Sequence, residues 1–256
     1  MHSDGHGVVD PETYPLPGEK GTEEPIVETP VVEEPIVETP IVEEPTVETP
    51  VVEEVQVAGL DNFVKVKSYE TGIFNDVEGT EWYAESIKNT YELGILGGKG
   101  EGLFDPTGKI TVCEAIVMVS RTKDIFTGGN GIIENIGENW YDGFVKYATD
   151  NGIIAIDQFD DYNRNATRAE LAYLFAVALG DECYNSINDV TKISDVDDTT
   201  KYNQEIFKLY NAGVVTGSDE YGTFSPVADI TRAEASALID RLINMDKRKT
   251  VELKEK

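Results

Sequence analysis

Two arginines occupy positions from which they could bind an anion. Arg168 and Arg232 each follow a threonine and stand two residues before a glutamate, in Thr167-Arg168-Ala169-Glu170 and Thr231-Arg232-Ala233-Glu234. A threonine and a glutamate three residues apart form a capping box, in which each side chain satisfies a backbone donor at a helix start. An arginine in that first turn can project off the helix start, where its planar fork and the positive end of the helix dipole together favour a carboxylate. The competing reading is structural: either guanidinium can pair with one of the many nearby acids. Catalysis finds little support. His2 and His6 are the sole histidines and lie in the low-complexity start of the chain, so the folded part can form no Ser-His or Cys-His pair. Acid clusters such as Asp160-Asp161 and Asp195-Val196-Asp197-Asp198 lack the spaced ligands and central glycine of a calcium loop. The sequence requires no cofactor and no metal.

The elements that must position these arginines are repeated. Ile230-Thr231-Arg232-Ala233-Glu234-Ala235 returns as Ala166-Thr167-Arg168-Ala169-Glu170-Leu171 and as Ile110-Thr111-Val112-Cys113-Glu114-Ala115, at intervals of about sixty residues, each time opening an apolar helical run. Other positions keep the same register. Asp76 precedes Gly94, and Asp195 precedes Gly213, by eighteen residues; Trp82 and Trp140 stand twelve before Gly94 and Gly152, with Lys201 in the corresponding place of the third copy. Ile87, Val145 and Ile206 share one apolar position. Copies one and three carry Gly102-Leu103-Phe104-Asp105-Pro106 and Gly222-Thr223-Phe224-Ser225-Pro226, a signature that copy two has lost.

Within copy three, Tyr202, Ile206, Leu209 and Tyr210 recur at helical spacing before Gly213, which can take the left-handed conformation that ends a helix. A short extended stretch, Val214-Val215, is expected next. A second helix then follows the capping box through Ala235, Leu238, Ile239 and Leu242. Two-helix units with so little apolar face must share one core, so the fold class is all-α, mainly helical.

The pattern Phe-x-Asp-Val, Trp-Tyr, Gly-Ile, Gly-x-Phe-x-Pro and Ile-Thr-Arg-Ala-Glu resembles the S-layer homology (SLH) domain in its usual triplet, from about residue 72 to 244. The resemblance implies a pseudo-threefold helical assembly with repeats over residues 56–128, 129–186 and 187–246. It also implies a location outside the cell, at the wall or S-layer surface of a bacterium. Members of the family use the motif arginine in inter-repeat grooves to hold cell-wall polysaccharide, typically with pyruvate ketals supplying the negative charge. Val112 stands in the arginine position of repeat one, so a groove relying on it should bind weakly or not at all. Trp82 and Trp140 could offer a face to a sugar ring or serve as core. Gly97 and Gly217 could let a ligand approach the backbone closely, or be ordinary turn glycines. Asp76 and Asp195 could cap the helices that follow or hydrogen-bond sugar hydroxyls. A second reading of the triplet is a structural one, an assembly module acting through protein-protein contacts in a surface lattice.

Composition bounds the ends and the partners. Residues 23–54 repeat Glu-Glu-Pro-Ile-Val-Glu-Thr-Pro-Val-Val every ten residues, with proline at every fifth position from Pro25 to Pro50. Proline removes donors and fixes φ while the glutamates repel one another, so residues 1–55 are predicted to be a disordered segment and extended Pro/Glu stalk. They carry fifteen acids against Lys20, half of the total net charge of −28. So acidic a chain disfavours nucleic acid and anionic membrane, and no run of eighteen apolar residues is present. The start has no signal-peptide pattern; with an exported family, the expectation is that an upstream functional domain is absent from this chain. Cys113 and Cys183 read as small buried hydrophobes, with a bridge left open, and residues 247–256 as a charged tail.

Overall fold

The computed structural model describes residues 57–254, so the stalk expected over residues 1–55 lies outside the described residues. Six α-helices carry the fold, two per repeat: α1 (Ala84–Glu92), α2 (Val112–Phe126), α3 (Asp142–Asp150), α4 (Arg168–Ala178), α5 (Asn203–Asn211) and α6 (Arg232–Ile243). Among the described residues the only β structure is isolated bridges. Each first helix ends at a left-handed glycine, Gly94, Gly152 or Gly213, with φ of 75, 67 and 72°. The chain does not then extend as expected at Val214-Val215. Both N–H groups turn back onto Leu209 O (2.9 and 3.4 Å), as those of Ile95 and Leu96 do onto Thr90 O and those of Ile153 and Ile154 onto Ala148 O. The orphan carbonyls at the helix end win those donors.

Each second helix begins at a capping box. Thr111, Thr167 and Thr231 accept from the N–H of Glu114, Glu170 and Glu234, and each glutamate reaches back to its threonine N–H at 2.8, 2.9 and 2.8 Å. The capping box completes only part of the helix start, since the N–H groups of the two intervening residues still need acceptors. A neighbouring repeat supplies them. Val112 and Cys113 donate to Arg164 O and Tyr162 O, Arg168 and Ala169 to Ala228 O and Pro226 O, and Arg232 and Ala233 to Gly108 O and Pro106 O, all at 2.9 to 3.0 Å. One residue before the caps, three backbone bonds close a ring: Ile110 N–H to Ile230 O, Ile230 N–H to Ala166 O, and Ala166 N–H to Ile110 O, at 3.2, 3.2 and 2.9 Å. These bonds define the pseudo-threefold axis, and Ile110, Ala166 and Ile230 are buried around it.

Helix pairing follows the same circulation. A first helix packs on the second helix of the preceding repeat, α3 on α2 and α5 on α4, and α1 closes the circle on α6. The closing seam is polar. Asp240, 2% exposed, accepts from Ser86 Oγ (2.8 Å) and Asn89 Nδ2 (3.0 Å), and Lys247 bridges Asp240 (3.2 Å) and Glu85 (2.7 Å). The charged tail is tied down as far as it is described. Lys249 N–H donates to Gly213 O, Asn188 holds both Lys249 O and Val251 N–H, and Lys254 N–H donates to Glu220 O. Cys113 and Cys183 are buried and unbridged; burial pushes the Cys183 thiol up to about 11.

No repeat contains its own helix partners or its own N-terminal acceptors, so the three should unfold together. Residues 185–256 expressed alone are expected to give no cooperative thermal transition by circular dichroism, whereas residues 56–256 are expected to give one.

Candidate functional site

The motif arginines lie along two grooves, each built from all three repeats. In the first, Arg232 of repeat three reaches over repeat one, where its Nε donates to Phe104 O (2.7 Å) and its Nη2 to Gly97 O (2.6 Å), with the guanidinium 4.6 Å from the Phe104 ring centre. Glu114, from the capping box of repeat one, faces it at 4.0 Å. Trp140 of repeat two completes a cavity of about 590 Å3 that Gly97, Gly98, Lys99 and Arg121 also line. In the second groove, Arg168 of repeat two reaches over repeat three. Its Nε donates to Phe224 O (2.6 Å), its Nη1 pairs with Glu234 (2.6 Å), and Phe224 lies beneath at 5.1 Å. Trp82 of repeat one closes that cavity of about 410 Å3, which Gly217, Ser218 and Arg241 also line.

The tryptophans are not core. Trp82 is 63% and Trp140 54% exposed, and each stands nearly perpendicular to the next residue, Tyr83 at 79° and Tyr141 at 82°. Each indole is thus exposed, packed against a tyrosine, and lines its groove. In repeat three Lys201 takes that place, its ammonium 4.7 Å from the Tyr202 ring centre.

The arginines turn out to be scaffold and groove lining at once, so the two sequence readings are not exclusive. Burial lowers the pKa of Arg232, which remains a cation because an arginine does not deprotonate in proteins. The helix starts themselves offer nothing to a ligand, since neighbouring carbonyls and the capping threonines occupy their first donors. At the third interface Val112 replaces the arginine and repeat two supplies its own: Arg164 binds Glu170 through Nη1 (2.9 Å) and Nη2 (2.6 Å) and lies 6.0 Å from the ring centre of Phe159. Burial alone would raise the Glu170 pKa, but the bonds from Arg164 and Thr167 outweigh it and hold the group below its usual range.

Asp76 and Asp195 do not cap the helices that follow. Asp76 accepts the N–H groups of Phe104 (2.8 Å) and Asp105 (2.7 Å), and Asp195 those of Phe224 (2.8 Å) and Ser225 (2.7 Å). They do not cap α1 or α5, which have no side-chain cap, and they line neither groove. Two successive N–H groups converge on each carboxylate because Asp105 and Ser225 adopt left-handed φ of 61 and 59°. Gly97 keeps the expected openness, since a Cβ there would meet nothing within 4 Å. Gly217 serves its own turn: its φ is +75° and a Cβ would meet the Gly222 backbone at 2.6 Å. Its register partner is Gly98, where a Cβ would press on Phe74 at 2.6 Å. Sequence reasoning missed Arg121 and Arg241. Both stand seven residues after the capping glutamate, two turns along the same helix face, and both donate to the residue after the helix-ending glycine, Arg121 to Ile95 O (3.1 Å) and Arg241 to Val214 O (3.3 Å). Among the described residues no group of three or more His, Cys, Asp or Glu side chains could hold a metal ion, and no helix is long and apolar enough to cross a membrane.

A closed triplet of two-helix repeats with cation- and indole-lined grooves between them defines the class. A family model for the S-layer homology domain matches residues 73–111 and 192–236, within repeats one and three. The chain is similar to an endoglucanase of Bacillus sp. (strain KSM-635), 24% identical over 176 residues that cover 66% of this chain and 18% of that protein. It is 25% identical over 180 residues to the surface-layer 125 kDa protein of Lysinibacillus sphaericus (68% of this chain, 15% of that one) and 23% identical over 176 residues to the S-layer protein sap of Bacillus anthracis (65% and 20%). The chain thus spans a fifth or less of the length of these relatives. Two stretches of the chain thus match the S-layer homology domain, and the relatives it resembles include proteins of the bacterial surface.

Asp76→Ala leaves two backbone donors without their acceptor and is expected to lower the unfolding free energy by about 1–3 kcal/mol in a urea titration. Arg164→Ala tests the third interface through pH. A carboxylate whose folded pKa is depressed stabilises above its unfolded pKa of about 4.3 and loses that contribution as pH falls through the folded value. The destabilisation by Arg164→Ala is therefore expected in full at neutral pH and to shrink as Glu170 protonates.

Proposed function

We propose that the repeat domain anchors a surface protein noncovalently to the bacterial wall by binding anionic, pyruvylated secondary wall polysaccharide in the Arg232 and Arg168 grooves. One observation carries the reading most directly: on a chain of net charge −28, two grooves each combine two arginines with an exposed, braced indole. An indole face suits the apolar side of a sugar ring, and buried or half-buried guanidinium groups suit a carboxylate on it. The third interface, with Val112 and Lys201 in place of arginine and tryptophan, contributes little. The domain acts by binding, without catalysis of its own.

The assembly alternative, contacts between protein copies in a surface lattice, is separated by protein-free cell wall in a sedimentation assay. An anchor sediments and is released by free polysaccharide, and an assembly module does neither. The tryptophans test the grooves better than the arginines, whose loss would also remove structural bonds. Trp82→Ala and Trp140→Ala are each expected to weaken wall binding about tenfold, equivalent to about 1.4 kcal/mol, with an unchanged melting temperature. Full binding by the folded double variant would overturn the site assignment.

A further inference from the structure

The two grooves differ in charge at positions that the repeat register makes equivalent. Five residues after the helix-ending glycine stands Lys99 in the first groove, Ser218 in the second and Asp157 at the third interface. A second difference lies at Lys67. Its N–H and that of Val66 donate to Glu92 O just as Ile187 and Asn188 donate to Asn211 O, so Asn188 is its counterpart, spent on holding the C-terminal strand of chain. The first groove is thus lined by Lys67, Lys99, Arg121 and Arg232 against the single acid Glu114, and the second by Arg168 and Arg241 against Glu234, with Lys109 and Asp229 where it continues past Trp82.

The cations of the first groove are also less tightly paired with acids. Glu234 is closed by Arg168 at 2.6 Å, whereas Glu114 meets Arg232 at 4.0 Å and Lys99 at 3.7 Å, and Lys99 stands 3.9 Å from Asp105. The buried Nε–H of Arg121 has no acceptor in the protein, and a buried donor left without one is costly. Lys67 is exposed and rests 5.1 Å from the Tyr91 ring centre.

Resting on the wall-binding reading, we infer that the grooves are not interchangeable: the Arg232 groove selects polymer segments carrying at least two anionic groups, and Lys67 and Lys99 are the specificity-determining residues that read the second charge. The Arg168 groove, with neutral Asn188 and Ser218 in their places, takes segments with one.

The full chain tests this with each groove isolated in turn. Trp82→Ala leaves the Arg232 groove and Trp140→Ala leaves the Arg168 groove, and binding to protein-free cell wall is measured as sodium chloride rises from about 50 to about 500 mM. Screening over that range weakens multiple exposed charge contacts far more than one half-buried contact. The expected loss is about tenfold or more for Trp82→Ala and about threefold or less for Trp140→Ala. Adding Lys67→Gln and Lys99→Gln to Trp82→Ala is expected to weaken low-salt binding by about tenfold and to flatten its salt dependence to that of Trp140→Ala, with an unchanged melting temperature. Equal salt dependence of the two single-groove proteins, or a lysine double variant that keeps its affinity, overturns the inference while leaving wall anchoring intact. Failure of the unaltered chain to bind wall at any salt overturns the anchoring reading itself.

Discussion

Six backbone N–H groups, two at the start of each second helix, have no acceptor within their own repeat. Leaving such donors buried and unmet costs about 1–3 kcal/mol each, so a helix start here is completed only when the next repeat's loop lies against it. Because that holds three times over, the arrangement closes on itself, and the ring of bonds among Ile110, Ala166 and Ile230 marks where it closes. The grooves follow from this constraint. A loop pressed onto a neighbour's helix start brings its phenylalanine under that neighbour's first-turn arginine and its own capping glutamate opposite.

The resulting trio of cation, aromatic ring and carboxylate is present at all three interfaces, but its source varies. Arg232 with Phe104 and Glu114, and Arg168 with Phe224 and Glu234, join two repeats; Arg164 with Phe159 and Glu170 lies within one. The third interface therefore keeps its electrostatic balance while losing the residues that would face a ligand. Structural need and ligand contact are separable at this position, and repeat two separates them.

How much of this the sequence revealed depends on the range of the interaction. Capping boxes and helix-ending glycines act within a few residues, and Thr111, Thr167, Thr231, Gly94, Gly152 and Gly213 were all legible. Tryptophan register left Trp82 and Trp140 open between core and groove, and which arginine shares a groove with which tryptophan was not legible, because Arg232 and Trp140 come from different repeats and line a cavity over a third. Asp76 and Asp195 have acceptable local roles as helix caps, and only the fold shows that their partners lie 28 to 30 residues on. Arg164 was overlooked because its function is defined by the absence of an arginine at Val112. Lys67 and Lys99 acquire meaning only beside Asn188 and Ser218, a comparison that needs the three-dimensional register.

Closure of α1 on α6 also decides where Trp82 stands. The segment before α1 hangs by Val66 and Lys67 from Glu92 O at the end of that helix. Behind the helix lies the polar seam around Asp240, where short directional bonds join repeat one to repeat three. Trp82 stands two residues before α1, so the bonds that seat α1 on α6 also seat the indole in the Arg168 groove. A seam between repeats one and three thereby holds one wall of a groove whose arginine comes from repeat two.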